Sequence, residues 1–519
     1  RYICLASPDL LQMPETYLEA NLITLESENL IFTVNLLGYN PTLYKHLCLG
    51  LLPGDSYLPL LRQIVRRENV QDNFVIKLSD LAPGVNVVVG RVIVHPTNHK
   101  DQALPFNNAI RGVALHLQGN EITACSPGLL IGRETPRIVH PVNTVVPVLS
   151  IPGDDRPTVF VVMPFLAVGG AERVTLDVLH QLQKDIHFVV LTTDKHEPSL
   201  GTTADAFRQI TPYVYTLSDW LSPELRLSCL EYLIQRFQPV TIYIANGSRF
   251  IYDVIPSIKQ RHTELRVVNQ VYDHRMGWIS CYKNKEIVSN ISAHIGCNQK
   301  ICQAYVQHGV PAERVYLIPH GVDTDLFDPE NYPPERCISI KKQMGLPTEQ
   351  RIITFMGRLH PQKRPMDFVE IARRFAYNTQ MFFLMVGDGH LAGVIDAEVQ
   401  RIGLKNLVRQ PFSPAPDMLA ISDVVVLPSE YEGMPLVVLE AQAMGKPVVV
   451  TDVGANREIV ELTHGGVVVS KIGDIYAMMR GVEKMLQNPP DPIRVREVIT
   501  SKFDVRNIAW QYKRVLLGE

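Results

Sequence analysis

The chain has 519 residues, 46% of them hydrophobic and 20% charged, with a formal net charge of −3. That length allows two to four domains with real cores, and the near-neutral balance excludes a polyanion binder, so nucleic acid is not an expected partner. The eight cysteines, at 4, 48, 125, 229, 281, 297, 302 and 337, form no C-x-x-C pair and no metal-type spacing, which points to a reduced, intracellular protein. No apolar run approaches the ~18 residues of a membrane span. The sequence opens RYICLASPDLL without Met and without a signal-peptide core, and is expected to be trimmed.

In chain order, PETYLEANLITLESEN (14–29) reads as an amphipathic helix, and FVIKL, VNVVVGRVIVH and AIRGVALHL (within 74–118) as strands. Residues 1–145 are therefore expected to form an accessory module of mixed α and β type, followed by a proline-containing linker at 146–157. From Val159 the pattern alternates: VFVVMP, GGAERVTLDVLHQL, HFVVLTTD, SPELRLSCLEYLIQRF, TIYIAN, RVVNQVY, AHIGCN, VYLIPHGV. Short β-branched runs separated by helical segments mean βαβ units and a parallel sheet. Residues 323–349 break the rhythm with prolines and acids and read as an interdomain connection. A second series follows, from RIITFMG through MFFLMVG, LVRQPF, DVVVLPS and PVVVTDV to VVVS. The fold expected is α/β, with two facing doubly wound, Rossmann-like domains at 158–325 and 326–500 and a C-terminal helix at 501–519. Ligands of such sheets bind outside the carboxyl ends of the strands.

The stretch EGMPLVVLE carries two carboxylates around an apolar run. With Pro435 at the first helical position and Gly445 as the stop, the helical neighbours of Glu440 are Leu436, Val437, Ala443 and Met444, all apolar. A carboxylate on an apolar face costs several kcal/mol unless something binds it, so Glu440 is expected to meet a ligand. Glu432 lies ahead of the helix, across the Gly433-Met434-Pro435 break, where both carboxylates could line one pocket. In GRLHPQKRP (357–365), Arg358 and Lys363 leave a loop after a strand, where two cations can grip a diphosphate; a solvated basic loop is the plain alternative. In MPFLAVGGAERV (163–174), Gly169 and Gly170 lie between a strand and a helix, so amides and helix dipole can face an anion; a tight turn is the alternative. VGDGH (386–390) reads as a structural turn.

Together these stretches resemble the retaining GT-B glycosyltransferases of family 4, over roughly residues 158–519. The resemblance is carried by SEYEGMPLVVLEAQAMGKPVVVTDVGANREIV with its E-x7-E element, by GRLHPQKR, by IPHGVDTDLF (318–327) and by GGAER, in that family's order. It implies that Arg358 and Lys363 neutralise a donor diphosphate, that Glu440 takes the ribose hydroxyls and Glu432 those of the transferred sugar. It also implies that amides of Gly433, Met434 and Leu436 face phosphate or sugar oxygens, and that the C-terminal helix crosses back to the first lobe. Many members carry a His near the reaction centre shortly before a Gly-Trp pair; in NQVYDHRMGW the spacing puts Tyr272, Asp273 or His274 near that place, and His274 is the one favoured as catalytic. The implied partners are a nucleotide-sugar donor, UDP-linked, and a glycan, protein or lipid-linked acceptor. No resident cofactor and no metal are expected, and the location is cytoplasmic, at the inner face of a membrane where the acceptor is a lipid. Two features depart from the pattern: Pro411 in VRQPFS stands where a Gly often precedes the base contact, and Asp323-Thr324-Asp325 mimics the metal-binding D-x-D of a different fold. The opening RYICLASPDLLQMPETYLEANLITLE faintly resembles a segment of GT-A family 2 enzymes.

Three other readings fit parts of the sequence. A nucleotide-linked dehydrogenase would use Asp194 at the end of the second strand, but AVGGAE lacks the three glycines of the dinucleotide fingerprint. A sugar-nucleotide epimerase of the same fold would use a similar donor cleft. A non-catalytic binding subunit conflicts with the intact set of Arg358, Lys363, Glu432 and Glu440.

Overall fold

The computed structural model describes residues 154–197, 200–211, 213–220, 223–273 and 282–519, together with the backbone of eight strands between residues 17 and 126. The chain divides into two compact units. The first takes Arg1–Thr158, Leu191–His196 and Pro212–Pro239. Its elements between residues 17 and 126 are β1 (Tyr17–Glu26), β2 (Asn29–Leu37), β3 (Tyr44–Leu52), β4 (Arg62–Arg66), β5 (Gln71–Lys77), β6 (Val87–Pro96), β7 (Ala114–Gln118) and β8 (Glu121–Ser126). They form antiparallel sheets ordered β1-β2-β5 and β4-β3-β6-β7-β8.

Within the helix expected over 14–29, residues Tyr17–Glu26 are a strand, and the described elements of 1–145 are strands. The reason is tertiary: β1 pairs residue by residue with β2, Thr24 opposite Ile31 and Ile23 opposite Phe32, and a β-branched partner strand outweighs a helical pattern read from one segment alone. Residues 1–16, which carry most of the family 2 likeness, and residues 146–153 of the expected linker lie outside the described residues.

The second unit takes Val159–Val190, Glu197–Thr211 and Val240–Glu519. Its first sheet contains β9 (Thr158–Met163) and β10 (His187–Thr192), then, after β11 (Val214–Thr216) of the first unit, β12 (Thr241–Ala245), β13 (Arg266–Val271), β14 (Ala293–Gly296) and β15 (Val315–Leu317). The order is β10-β9-β12-β13-β14-β15. The second sheet contains β16 (Arg351–Met356), β17 (Met381–Val386), β18 (Leu407–Gln410), β19 (Val424–Leu427), β20 (Val448–Thr451) and β21 (Gly466–Val469), ordered β18-β17-β16-β19-β20-β21. The paired strands run parallel, and runs such as TVFVVM are buried along their whole length, as expected of sheets covered by helices on both faces. In each sheet the strand order reverses beside the first strand, between β9 and β12 and between β16 and β19. Crevices at such reversals are where doubly wound sheets bind ligands. The connection at 323–349 holds one helix the sequence reading did not assign, Pro334–Gln343.

Two crossings of the chain join the lobes of this unit, and they are zipped together. Val322 and Asp504 form a parallel bridge, with Val322 N donating to Phe503 O (2.8 Å) and Val505 N to Val322 O (3.0 Å). Arg496 ties this hinge to the donor-side lobe: its guanidinium donates to Phe327 O (2.6 Å), Thr324 O (2.9 Å) and Ala443 O (2.7 Å). The last helix, Val505–Leu517, reaches the first sheet, where Gln270 Nε2 donates to Tyr512 Oη (2.7 Å) and Thr241 Oγ1 to Leu516 O (2.5 Å).

Gly321 is required where the crossings touch, because a Cβ there would lie 2.7 Å from Val505 Cα. Gly321→Ala is expected to cost about 1–3 kcal/mol through forced separation of two backbones. A lowered thermal unfolding midpoint checks this; an unchanged midpoint would mean the crossings are free to part.

Candidate functional site

The loops after β16 and β19 leave adjacent strands and are stapled to each other. Past Gly357 and Arg358, a 3-10 turn, Pro361–Lys363, is capped by His360 Nδ1, which accepts from Gln362 N (3.1 Å). Arg364 then adopts a left-handed conformation (φ 49°), unfavourable for a residue with a Cβ, and its guanidinium grips Asp367 at 2.7 and 3.1 Å. This abrupt turn carries Lys363 back toward the β19 loop. Lys363 Nζ lies 2.6 Å from Glu432 Oε1, which also accepts from Ser429 Oγ (2.6 Å). Gln362 adds backbone ties, to Tyr431 O through its side chain (3.1 Å) and to Glu430 N through its carbonyl (2.8 Å). Glu432 is 5% exposed, and its charge is met by a cation and a hydroxyl on a single oxygen.

The helix after this loop runs Leu436–Ala443, with Pro435 as its extended N-cap rather than its first helical residue, a shift of one position. Its end follows the pattern expected of Gly445: Gly445 N donates to Gln442 O and Lys446 N to Ala441 O, with Gly445 at φ 68°. Glu440 is 3% exposed. Its apolar neighbours are as expected, but it is not alone: Arg173 Nη1 from the first lobe stands 2.8 Å from Glu440 Oε1, in ion-pair range but off the line of a hydrogen bond. Burial pushes the Glu440 carboxyl above its ordinary range, Arg173 opposes this, and Asp177 adds to it. Asp177 is itself pushed up to about 6, by burial first, with Arg173 opposing and Asp323 adding.

Arg173 lies on the helix Gly170–Leu182, whose N-cap is Gly169 with extended backbone. Arg358 Nη2 reaches across from the second lobe to Val168 O (3.0 Å), beside Gly169. Glu172, 5% exposed, faces the same place; burial raises its carboxyl, while its own backbone amide and Arg358 lower it. Three separate contacts therefore involve the expected site residues: Arg358 with Val168 O beside Gly169, Lys363 with Glu432, and Arg173 with Glu440. His274 lies outside the described residues. Asp323 Oδ1 accepts the amides of Asp325 and Leu326 (3.0 Å each), and Asp325 pairs with Arg506 (2.7 Å), so the D-x-D look-alike works as a turn cap and a hinge ion pair. Pro411 follows directly on β18.

The loop Gly433-Met434 is held from the first lobe and hinge by residues the sequence reading passed over. Asn298 Nδ2 donates to Gly433 O (2.7 Å), Ala455 N donates to the same oxygen (2.8 Å), and His320 Nδ1 lies 2.7 Å from Met434 O. Burial lowers His320 to about 4, against the Met434 carbonyl, so the ring is neutral and Nδ1–H is the donor. A Cβ on Gly433 would fall 1.8 Å from Tyr272 O, so only glycine fits there. Arg173 had a legible signal, since a cation in the first turns of a helix opposes the dipole and so advertises a partner elsewhere. Asn298 and His320 had none, because their partners are carbonyls far away in sequence.

The model for Glycosyltransferase Family 4 matches residues 168–326, and that for Glycosyl transferases group 1 matches residues 338–500. The chain belongs to the GT-B glycosyltransferases of this family. It is similar to the Escherichia coli UDP-Gal:alpha-D-GlcNAc-diphosphoundecaprenol alpha-1,3-galactosyltransferase, 33% identical over 178 residues that cover 33% of this chain and 45% of that protein. It is also similar to the D-inositol 3-phosphate glycosyltransferase of Xylanimonas cellulosilytica, 27% identical, covering 41% and 54%. The chain spans about half the length of these relatives. Among solved structures, Anabaena HepE in complex with UDP superposes with a TM-score of 0.57 at 18% identity, covering 70% of this chain and all of that one. A Rickettsia africae glycosyltransferase gives 0.59 at 17%, with the same coverage. These likenesses establish the GT-B fold for the two lobes of the second unit. Among the described residues, no helix is long and apolar enough to cross a membrane.

Proposed function

We propose that this chain transfers a sugar, with retention of anomeric configuration and without a metal, from a UDP-sugar to a glycan, polysaccharide or lipid-linked acceptor. The observation that carries the proposal is the pairing Lys363–Glu432 at the β16/β19 switch point: a half-buried cation and a buried carboxylate, 2.6 Å apart, suited to meet a diphosphate and a sugar hydroxyl respectively. Arg358 supplies a second cation, and the amides at Gly169, Gly170 and ahead of the Leu436–Ala443 helix supply oriented dipoles. Glu440 takes the ribose hydroxyls. The printed names of the Escherichia coli relative, with its UDP-Gal donor and diphosphoundecaprenol acceptor, and of the UDP-glucose complex of HepE support the donor and acceptor classes.

Chemically, the glycosyl–phosphate bond breaks as the acceptor hydroxyl attacks the anomeric carbon, and negative charge grows on the departing diphosphate. Preorganised positive groups aimed there lower the barrier, and Arg358 and Lys363 fill that role without Mg²⁺ or Mn²⁺. Neither Glu432, engaged by Lys363 and Ser429, nor Glu440, engaged by Arg173, is a free nucleophile, so the acceptor is read as attacking from the leaving-group face. The test is incubation with a nucleotide-sugar panel with and without EDTA, followed by NMR of fresh product. Activity that survives EDTA and a product with the donor's anomeric configuration are expected. Loss of activity restored by Mn²⁺ alone, or an inverted product, would overturn those parts. Epimerised donor in the absence of acceptor would replace the reading with the epimerase.

A further inference from the structure

We propose that Asn298 and His320 are positioning residues of the donor site, which aim the Met434 amide by holding the carbonyls on either side of it. The inference rests on the donor-site reading above and adds residues to it. A trans peptide unit is planar, with its N–H and C=O pointing in opposite directions. Gly433 O belongs to the same peptide unit as the Met434 N–H, so the two donors on that oxygen, Asn298 Nδ2 at 2.7 Å and Ala455 N at 2.8 Å, turn the Met434 N–H away from themselves. Met434 O is held in turn by His320 Nδ1 at 2.7 Å, and His320 N approaches Met434 Sδ at 3.2 Å. The next residue, Pro435, has no N–H. Among the described residues no acceptor meets the Met434 amide, which leaves it as a donor directed from the loop that joins Glu432 to the Glu440 helix.

Asn298 has two functions that chemistry can separate. Its Oδ1 caps the helix Gln299–Gln307 by accepting from Ile301 N (2.9 Å), while its Nδ2 makes the tether. Asp caps as well as Asn but, when ionised, presents an oxygen to the Gly433 carbonyl where a donor stood. His320 is also divisible: its Nε2 is buried without a partner, so only the Nδ1–H is used, and an Asn at this position can supply that nitrogen alone.

The experiment measures binding of UDP, ADP and GDP by calorimetry, with thermal unfolding alongside, for the full chain and four variants. Asn298→Asp at pH 8, which puts a carboxylate at a position 0% exposed, is expected to lower the unfolding midpoint and to weaken nucleoside diphosphate binding about tenfold, the scale of one lost hydrogen bond plus a repulsive contact. Relative to the wild-type profile, its affinity is expected to recover as pH falls toward about 5, where a protonated carboxyl can donate again. Asn298→Ala is expected to lose both midpoint and affinity. His320→Asn should bind like wild type, and His320→Ala should not. Wild-type affinity for Asn298→Asp at pH 8, or a loss that does not respond to pH, would overturn the positioning role while leaving the donor site intact. If none of the three nucleotides binds the wild-type chain, the donor-site reading falls, and this inference with it.

Discussion

Lys363→Ala is expected to lower kcat/KM by about 10²–10³, the scale found when one preorganised group facing developing charge is removed. Two losses combine at this position. The ammonium that would meet the departing diphosphate is gone, and Glu432, 5% exposed, keeps only Ser429 Oγ as a partner among the contacts now on its Oε1. Lys363→Arg is expected to rescue little, because a planar fork does not replace a point charge delivered by the tight turn at Arg364. Glu432→Gln is expected to reduce turnover more than it weakens binding of UDP, since its partner in the proposal is the sugar and not the nucleotide. Because Lys363 and Glu432 touch, the double variant should be far from additive. Steady-state kinetics and UDP calorimetry on the four variants decide the matter. An unchanged kcat/KM for Lys363→Ala would remove the pair from the reaction, and equal losses for Glu432→Gln in turnover and UDP binding would move it away from the sugar.

The Arg173–Glu440 pair leads to opposite outcomes for its two halves. Glu440→Leu removes a carboxylate that is 3% exposed, while Arg173, whose side chain is 40% exposed, can turn to water and to Asp177. The expected result is an unfolding midpoint equal to or above wild type, with nucleotide affinity lost. Arg173→Gln instead strands the carboxylate among Leu436, Val437, Ala443 and Met444. Breaking a buried pair costs about 3–5 kcal/mol, and the exposure of Arg173 argues for the lower part of that range or less.

The pH dependence follows from the same pair. The Glu440 carboxyl is already raised by burial, and losing Arg173 raises it further. A folded-state pKa above the unfolded one means that the folded form holds the extra proton. Stability of Arg173→Gln should therefore fall as pH rises from the ordinary carboxylate range toward the folded value, more steeply than in the wild type. Nucleotide affinity should climb over the same interval as the carboxylate that accepts the ribose hydroxyls forms. Thermal unfolding and UDP binding between pH 5 and 8 test both slopes. A Glu440→Leu variant with full affinity would end the ribose assignment, and a pH-independent Arg173→Gln would show that the two side chains do not interact in solution.

Much of the architecture was legible because it rests on local rules. Period-two and period-3.6 patterns after Val159 mark parallel βαβ units, and Gly445 and the Glu440 helix could be placed from turn and cap chemistry alone. Glu440 could also be singled out, since an acid on an apolar face needs a partner whatever the fold. What one-dimensional reading cannot supply is which distant group meets which. Glu440 was expected to await a ligand, but Arg173, 267 positions earlier in the sequence numbering, already stands against it. PETYLEANLITLESEN has helical spacing by itself, yet its middle becomes β1 because β2 pairs with it from Tyr17 to Glu26, with one irregularity between Ala20 and Leu22. The stretch at 323–349 looked like plain connection, but it contains a helix, and its Asp325 is spoken for by Arg506 near the C-terminus. Composition, element type and the chemistry each loop could perform were determined by the sequence itself, because propensities, caps and burial costs act within a few residues. The pairing of Lys363 with Glu432, of Arg173 with Glu440 and of Asn298 with the Gly433 carbonyl was decided only by the tertiary structure, because hydrogen bonds and ion pairs depend on distances of about 3 Å that strand order and chain crossings set.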